Sequence, residues 1–478
     1  MSKPEPGQTP EEGTGPADET GDLAPGGTVE APPRSYWTAR EERLALQSWV
    51  LGATARGIFV GSFVIYYLKE LGISDRLLGL ATALPSLATL AQFAGSVWLE
   101  RTANRRRLVV GRFLLQPICW VPVVVIGWQL AGQPARYPLA IYTLIFCSSL
   151  GALCLHLGNP AWDSWFADAV SDRRKGAFFG TFGILTRVLM GAVGIGGGLL
   201  VDRLSGGSPV LYQRLLLSLF AVAILMSVVS WQRILPLRDF PMERPARTDL
   251  RSLLRMVIHE RNYLRFLGMY ACYAFANGLF TTFAVAWFEE DLRLSLTFLG
   301  WLSVVSTVCF AGTSRFWGEL ATRFGGRPTV WLGYPSGVLL PLSYFLYTRE
   351  NVFWLAPLTT AVLSAWSAGF VVGVNTLWYT LPGPKARSMQ FAVAYGLLGI
   401  AGTLAPLLAG SLTGHLGALR LAGWEGSRYH WLFLFGAVAQ GVTGLMLARV
   451  RESRGRSARL VLAWLWKHRR EMLPRHKA

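Results

Sequence analysis

Charge is scarce in this sequence, and acid is scarcer than base. Of 478 residues 15% are charged, with 28 Asp and Glu against 46 Lys and Arg. Soluble domains carry about a quarter of their residues charged, so a chain of several soluble domains is excluded. Cysteine is also scarce. Cys119, Cys147, Cys154, Cys272 and Cys309 are odd in number, lie within apolar stretches and form no CxxC pair, so neither a disulfide framework nor a zinc site follows. No GxxxxGK[ST] stretch occurs, which argues against ATP-driven work by this chain alone. Residues 1–35 lack the apolar core of a signal peptide, are rich in Pro, Gly and acid, and read as a disordered tail. No cofactor is expected, and no clustered His/Asp/Glu constellation with metal-ligand spacing supports one.

What the sequence has in abundance is apolar length. Hydrophobic residues make up 52% and mean hydropathy is +0.36. Crossing about 30 Å of hydrocarbon takes about 20 apolar residues per helix, because lipid cannot hydrogen-bond an exposed backbone. Such stretches recur from Leu44 to Val450 and predict an all-α membrane protein of twelve transmembrane helices. These fall near 43–68, 76–99, 108–130, 138–166, 177–202, 210–232, 263–288, 294–317, 328–347, 353–380, 388–416 and 429–450. The net charge of +18 sits mainly in alternate connections: Arg101 and Arg105 to Arg107, Arg173 to Lys175, Arg233 to Arg265, Arg323 and Arg327, Lys385 and Arg387. That is topology rather than a nucleic-acid footprint, and it predicts both termini on the cytoplasmic side of a plasma (inner) membrane. The tail 451–478 alternates bases with Leu460 to Trp466, which suits a helix lying on an anionic inner leaflet.

The basic connection 232–262 divides the chain into six-helix halves, 36–231 and 263–450. Asn159-Pro-Ala-Trp162 near the end of helix four has a counterpart in Asn375-Thr-Leu-Trp378 near the end of helix ten. A basic turn, a small-residue helix and a polar exit follow in both. Related halves are the mark of a duplicated transporter with its site between them near mid-membrane.

Between helices eight and nine lies Gly318-Glu-Leu-Ala-Thr-Arg323-Phe-Gly325-Gly-Arg327, which resembles the loop signature of the major facilitator superfamily, Gly-x-Leu-Ala-Asp-Arg-x-Gly-Arg-Arg. Thr322 stands where that family most often has Asp. Between helices two and three, Ser96 to Arg107 keeps Glu100, Arg101 and the bases but no loop glycine. The resemblance implies two pseudo-repeated six-helix halves, alternating access to a small-molecule substrate, and a monomer. It also implies a cytoplasmic gate at Glu100, Arg101, Gly318, Arg323, Gly325 and Arg327. Helix five, with Gly180, Gly183, Gly191, Gly194, Gly196, Gly197 and Gly198, is similar to the glycine-rich helix of drug/proton antiporters but lacks its proline; close packing is the other reading.

Ionisable groups at mid-bilayer cost about 2.5–3.5 kcal/mol on insertion scales and need a partner or a wet cavity. Arg56 in helix one and Arg187 in helix five are candidates to clamp an anion. His156, Asn159 and Asp163 share one face of helix four by their spacing. Tyr273 and Asn277 on helix seven, with Asn375 and Tyr379 on helix ten, would orient the rest of a substrate. The alternative for Arg56 is an internal salt bridge to Asp163. His156 and Asp163 are the candidates for proton coupling. Asn159-Pro160 predicts a kink, either hinge or static shape. Trp162, Trp165, Trp366 and Trp378 read as packing residues before stacking platforms. Secondary transport, of an organic anion in particular, is the leading expectation. A non-transporting receptor and a lipid-active membrane enzyme are the alternatives from other classes.

Overall fold

The computed structural model describes residues 37–102, 104–170, 172–240, 259–381, 387–421 and 424–452, apart from some side chains, among them those of Glu100 and Tyr379. The expected N-terminal tail, most of the central connection and most of the C-terminal tail lie outside the described residues. The chain is a succession of helices: α1 (Ala39–Val60), α2 (Ser62–Glu70), α3 (Asp75–Leu87), α4 (Ala91–Thr102), α5 (Arg105–Leu130), α6 (Tyr137–Ala169), α7 (Asp172–Leu204) and α8 (Pro209–Ile234). They continue as α9 (Arg261–Glu290), α10 (Leu296–Phe324), α11 (Gly326–Gly333), α12 (Pro335–Ser343), α13 (Val352–Thr380), α14 (Arg387–Thr413) and α15 (Tyr429–Leu447).

Eleven helical stretches among the described residues are long and apolar enough to cross a membrane. The first is α1 continued by α2 past Gly61, and the second is α3 continued by α4. The position of the expected ninth span holds the broken pair α11 and α12, parted at Tyr334 just before Pro335, which has no backbone N–H to carry a helix through. Counting that pair, the order is twelve spans, and they are numbered so below. A short ribbon, β1 (Leu419–Leu421) against β2 (Trp424–Gly426), is an addition to the all-α expectation between spans 11 and 12.

Helix starts are capped from the sequence. Thr38 and Glu41 form a capping box ahead of α1, and Ser74, Asn104, Ser208 and Ser295 accept from backbone N–H groups at the starts of α3, α5, α8 and α10. Large apolar side chains such as Phe146, Val308 and Leu445 stay exposed around the bundle, where lipid replaces water. Span 2 packs on span 11 and span 5 on span 8. A Cβ on Gly79 would lie 2.4 Å from the Pro406 carbonyl oxygen, and one on Gly198 would lie 2.5 Å from the Thr297 nitrogen. Glycine therefore sets how closely these spans meet, as the packing reading of helix five holds.

The core is unevenly divided. At the end away from Trp37 and Glu452, here the far face, one cluster runs through both sets of spans, joining Phe63, Tyr67, Leu78 and Phe220 to Phe280, Trp287, Ala405 and Phe433. At the end bearing Trp37 and Glu452, the terminal face, no cluster runs through both sets: two larger ones are accompanied by a small one of Leu320 and Phe324 in the second set. Of the larger two, one holds Trp37, Val109, Trp162 and Trp165, and the other holds Tyr263, Phe266, Val330 and Leu447.

Candidate substrate site and gates

Arg112 lies seven residues beyond Arg105 on α5, hence on the same helix face, and both are buried. Its side chain crosses α6 at Gly158, where a Cβ would come within 2.4 Å of the arginine Cδ. The guanidinium lies over the rings of Phe113 and Trp162, at 4.5 and 5.7 Å from the centroids, and Nη1 donates to Asn159 Oδ1. Arginine only donates, so it must meet the carbonyl of Asn159. That turns the Asn159 amide nitrogen to His156 Nδ1, 3.2 Å away, where Gln92 Nε2 also arrives at 3.1 Å. Two amide donors on Nδ1 make it an acceptor, and the hydrogen-bond network thereby assigns a neutral ring protonated at Nε2. Pro160, four residues on, leaves the His156 carbonyl without its helical partner while α6 continues to Ala169.

These groups border two adjoining cavities of about 250 Å³ each. The polar one is lined by Arg56, Gln92, Arg112, Asn159, Asp163 and, from span 11, Tyr395, with Trp49, Leu155 and Trp162 completing the wall. The apolar one extends along spans 1 to 4, and Arg56 and Leu155 line both. Arg56 Nη1 is buried without a hydrogen-bond partner, as is Arg112 Nε. Arg56 makes no ion pair with Asp163, although both line the polar cavity.

The other candidates are placed elsewhere. Arg187 lies against span 8 with its guanidinium 4.2 Å from the Phe310 ring centroid. Asn277 Nδ2 donates to the Tyr273 carbonyl of its own helix, and the Tyr273 ring packs 4.2 Å from that of Phe370. Asn375 is exposed on α13. None of these lines either cavity. The side chain of Tyr379 lies outside the description. Trp162 and Trp165 are buried in an aromatic cluster with Trp37, Trp366 donates to the Leu332 carbonyl, and Trp378 stacks on Phe391, so all four pack.

At the terminal face, each set of six spans clasps the segment that leaves its last helix. In the first, Arg238 meets Glu41 through two nitrogens at 2.8 and 2.9 Å, while Trp37 and Trp165 both donate to the Arg238 carbonyl. Arg105 reaches Asp168 at 2.5 Å and the Phe240 carbonyl at 2.8 Å, and Arg106 reaches the Leu235 carbonyl. In the second, Gly325 ends α10 at φ 99°, a conformation that favours glycine, and a Cβ there would strike the Glu452 carboxylate. The backbone N–H groups of Gly326 and Arg327 donate to Glu452 at 3.0 and 2.8 Å, Arg327 Nη2 donates to the Ala448 carbonyl, and Asn262 exchanges two bonds with Arg451. The carboxylate that meets this loop is thus that of Glu452, while Thr322 bonds back to Gly318 in its own helix. Arg101 and Arg323 are exposed at the ends of α4 and α10, Gly318 has open space where a Cβ would go, and the Glu100 side chain lies outside the description.

At the far face a four-residue ion network bridges the two sets of spans, through Lys69–Glu290 and Arg428–Asp75. Lys69 meets both Asp75 and Glu290 at 2.8 Å, and Arg428 meets Asp75 at 3.0 Å and Glu290 at 3.1 Å. Tyr429 donates to Glu290 at 2.6 Å and accepts from Lys69 at 3.1 Å. Tyr66 donates to the Leu294 carbonyl at 2.6 Å, and Thr297 donates through both N and Oγ1 to Asp202. Together these groups tie spans 1, 2 and 5 to spans 7, 8 and 12.

With this geometry in view, comparison with known proteins is specific about the fold. Residues 266–462 match the family described as the Major Facilitator Superfamily. The inward open conformation of the xylose transporter XylE from E. coli is similar over 88% of this chain and 98% of its own, at 13% identity and a TM-score of 0.63. A nucleoside transporter, NupG, is similar over 86% of this chain and 100% of its own, at 12% identity and 0.63. A bacterial homologue of the iron transporter ferroportin, in an inward-facing state, is similar over 86% and 98%, at 13% identity and 0.61. No curated protein matches the sequence. The chain shares the fold of these transporters over most of its length, and residues 266–462 are similar in sequence to the Major Facilitator Superfamily. Its apolar helices make it an integral membrane protein.

Proposed function

We propose that the protein transports a small solute across the membrane by alternating access, and that this solute is an organic anion held between Arg56 and Arg112. The observation that carries this reading is the buried, unpartnered Arg56 Nη1 beside a second buried guanidinium. Two arginines face one carboxylate, Asp163, so the polar cavity has a net positive charge that an anionic ligand neutralises. Buried charge without a partner is unfavourable, and a bidentate carboxylate or phosphate answers it with short charge-assisted bonds. The excess of base on the loops of the terminal face argues that this face is cytoplasmic. With the far face bridged and the terminal-face cores separate, the solute meets the site from the cytoplasm in this conformation. His156 is engaged as an acceptor, which leaves Asp163 as the group for proton exchange with the cavity.

A thermal-shift screen of the detergent-purified protein against anionic, neutral and cationic metabolites tests the reading. A ligand at 100 times its Kd stabilises the folded state by about 2.7 kcal/mol. Anionic compounds are expected to shift wild type and not a folded Arg56→Ala variant. Binding confined to neutral or cationic compounds, and equal in Arg56→Ala, would remove the anion from the proposal.

A further inference from the structure

Behind Arg56 lies the apolar cavity, walled by Phe59, Val64, Leu78, Trp120 and Leu144. Four hydroxyl residues also line it, but their donors are spent on their own helices: Thr82 on the Leu78 and Gly79 carbonyls, Ser86 on Thr82, Thr89 on Ser86 and Ser148 on Ile145. Gln116 adds an amide, one helical turn along α5 from Arg112. Arg56 is the one charged residue among those lining this cavity, apart from the neutral His156. A ligand reaching past Arg56 therefore finds no second cation to answer a second charge and few free hydroxyls to answer a sugar.

We infer that the substrate is an amphiphilic monoanion, its charged group between Arg56 and Arg112 and its apolar body in the cavity along spans 1 to 4. This rests on the anion reading above and narrows it: dianions and polyols are disfavoured, and apolar length adds affinity. With Asp163 ionised, one net positive charge among Arg56, Arg112 and Asp163 matches one negative charge on the ligand. Two cavities sharing Arg56 and Leu155 match a head joined to a tail.

The test is binding of straight-chain carboxylates, acetate to decanoate, to the full-length protein in nanodiscs of zwitterionic lipid, with empty nanodiscs subtracted. The matching n-alcohols and α,ω-dicarboxylates run beside them. Affinity is expected to rise about fourfold per methylene until the cavity is full, the step that burial of one CH₂ gives. Alcohols and dicarboxylates of equal length are expected at least about tenfold weaker, since each lacks or doubles the charge the site answers. Filling the apolar cavity with Ala152→Phe, or with Ser148→Leu should the first variant fold poorly, is expected to flatten the series. Carboxylates that bind with no length dependence, or dicarboxylates that bind more tightly, would overturn the amphiphile inference and leave the anion reading intact. Alcohols climbing in step with the acids at equal affinity, together with an Arg56→Gln variant that loses nothing, would overturn both.

Discussion

The two ends of this bundle use the same side chains for different work. At the terminal face, Arg105, Arg106, Arg238 and Arg327 bind segments within their own set of six spans, and no apolar cluster there runs through both sets. At the far face, Lys69 and Arg428 bind across the sets, and one core runs through both. The difference shows where the molecule is hinged shut in this conformation. Charges that hold a half rigid and charges that hold the halves together are distinguished by what they touch, not by residue type.

The far-face network is where substitution should act most strongly. The Lys69 and Asp75 side chains are 3% and 5% exposed, and removing one member of a buried pair strands the other at a cost of about 3–5 kcal/mol. Asp75→Asn is expected to lower thermal stability by the largest amount and to open the far face. Opening would be read as faster maleimide labelling of Leu294→Cys in a background without the five native cysteines. Labelling unchanged from the parent would show that the network does not hold the halves together.

Arg105 comes next. It is 1% exposed and reaches Asp168 and two backbone carbonyls, a fork that lysine cannot reproduce, so Arg105→Lys is expected to cost about 2 kcal/mol. The loss should be in stability, with far-face labelling unaltered; a change in labelling would erase the distinction between the two ends. Smaller again is Glu452→Gln, which weakens two charge-assisted bonds from Gly326 and Arg327 by about 1.5 kcal/mol in total. A Gly325→Ala variant should match or exceed that loss, because φ 99° disfavours a side chain and the new Cβ meets Glu452. The exposed pair Arg315 and Glu319 at 3.4 Å is the control, and separating it should change nothing measurable in a thermal scan.

Much of the fold was legible because lipid allows few solutions. Apolar length predicts the spans, and alternation of base predicts which ends share a face. The break in the ninth span at Tyr334 was not legible, since Gly333 and Pro335 also fit an intact membrane helix. Of the site, Arg56 stood out by its depth, and His156, Asn159 and Asp163 by their helical spacing. Arg112 was hidden because it follows Arg105 to Arg107 and reads as the end of a topological basic run. Glu452 was hidden in the tail, and Lys69, Asp75 and Glu290 read as loop charges until the fold brought residues 221 positions apart within 2.8 Å. Spacing along one helix is visible in a sequence, whereas a pairing between distant spans becomes visible only with the fold.

The most direct test of the central claim is counterflow of a radiolabelled carboxylate, chosen from the binding screen, into proteoliposomes holding wild type, Arg56→Gln or Arg112→Gln. Loss of one buried charge-assisted contact corresponds to about 1.5–3 kcal/mol, or roughly ten- to a hundred-fold in affinity. Each variant is therefore expected to lose uptake at sub-saturating substrate by at least tenfold while reconstituting to the same density. Undiminished uptake in both variants would contradict an anion site at these two arginines.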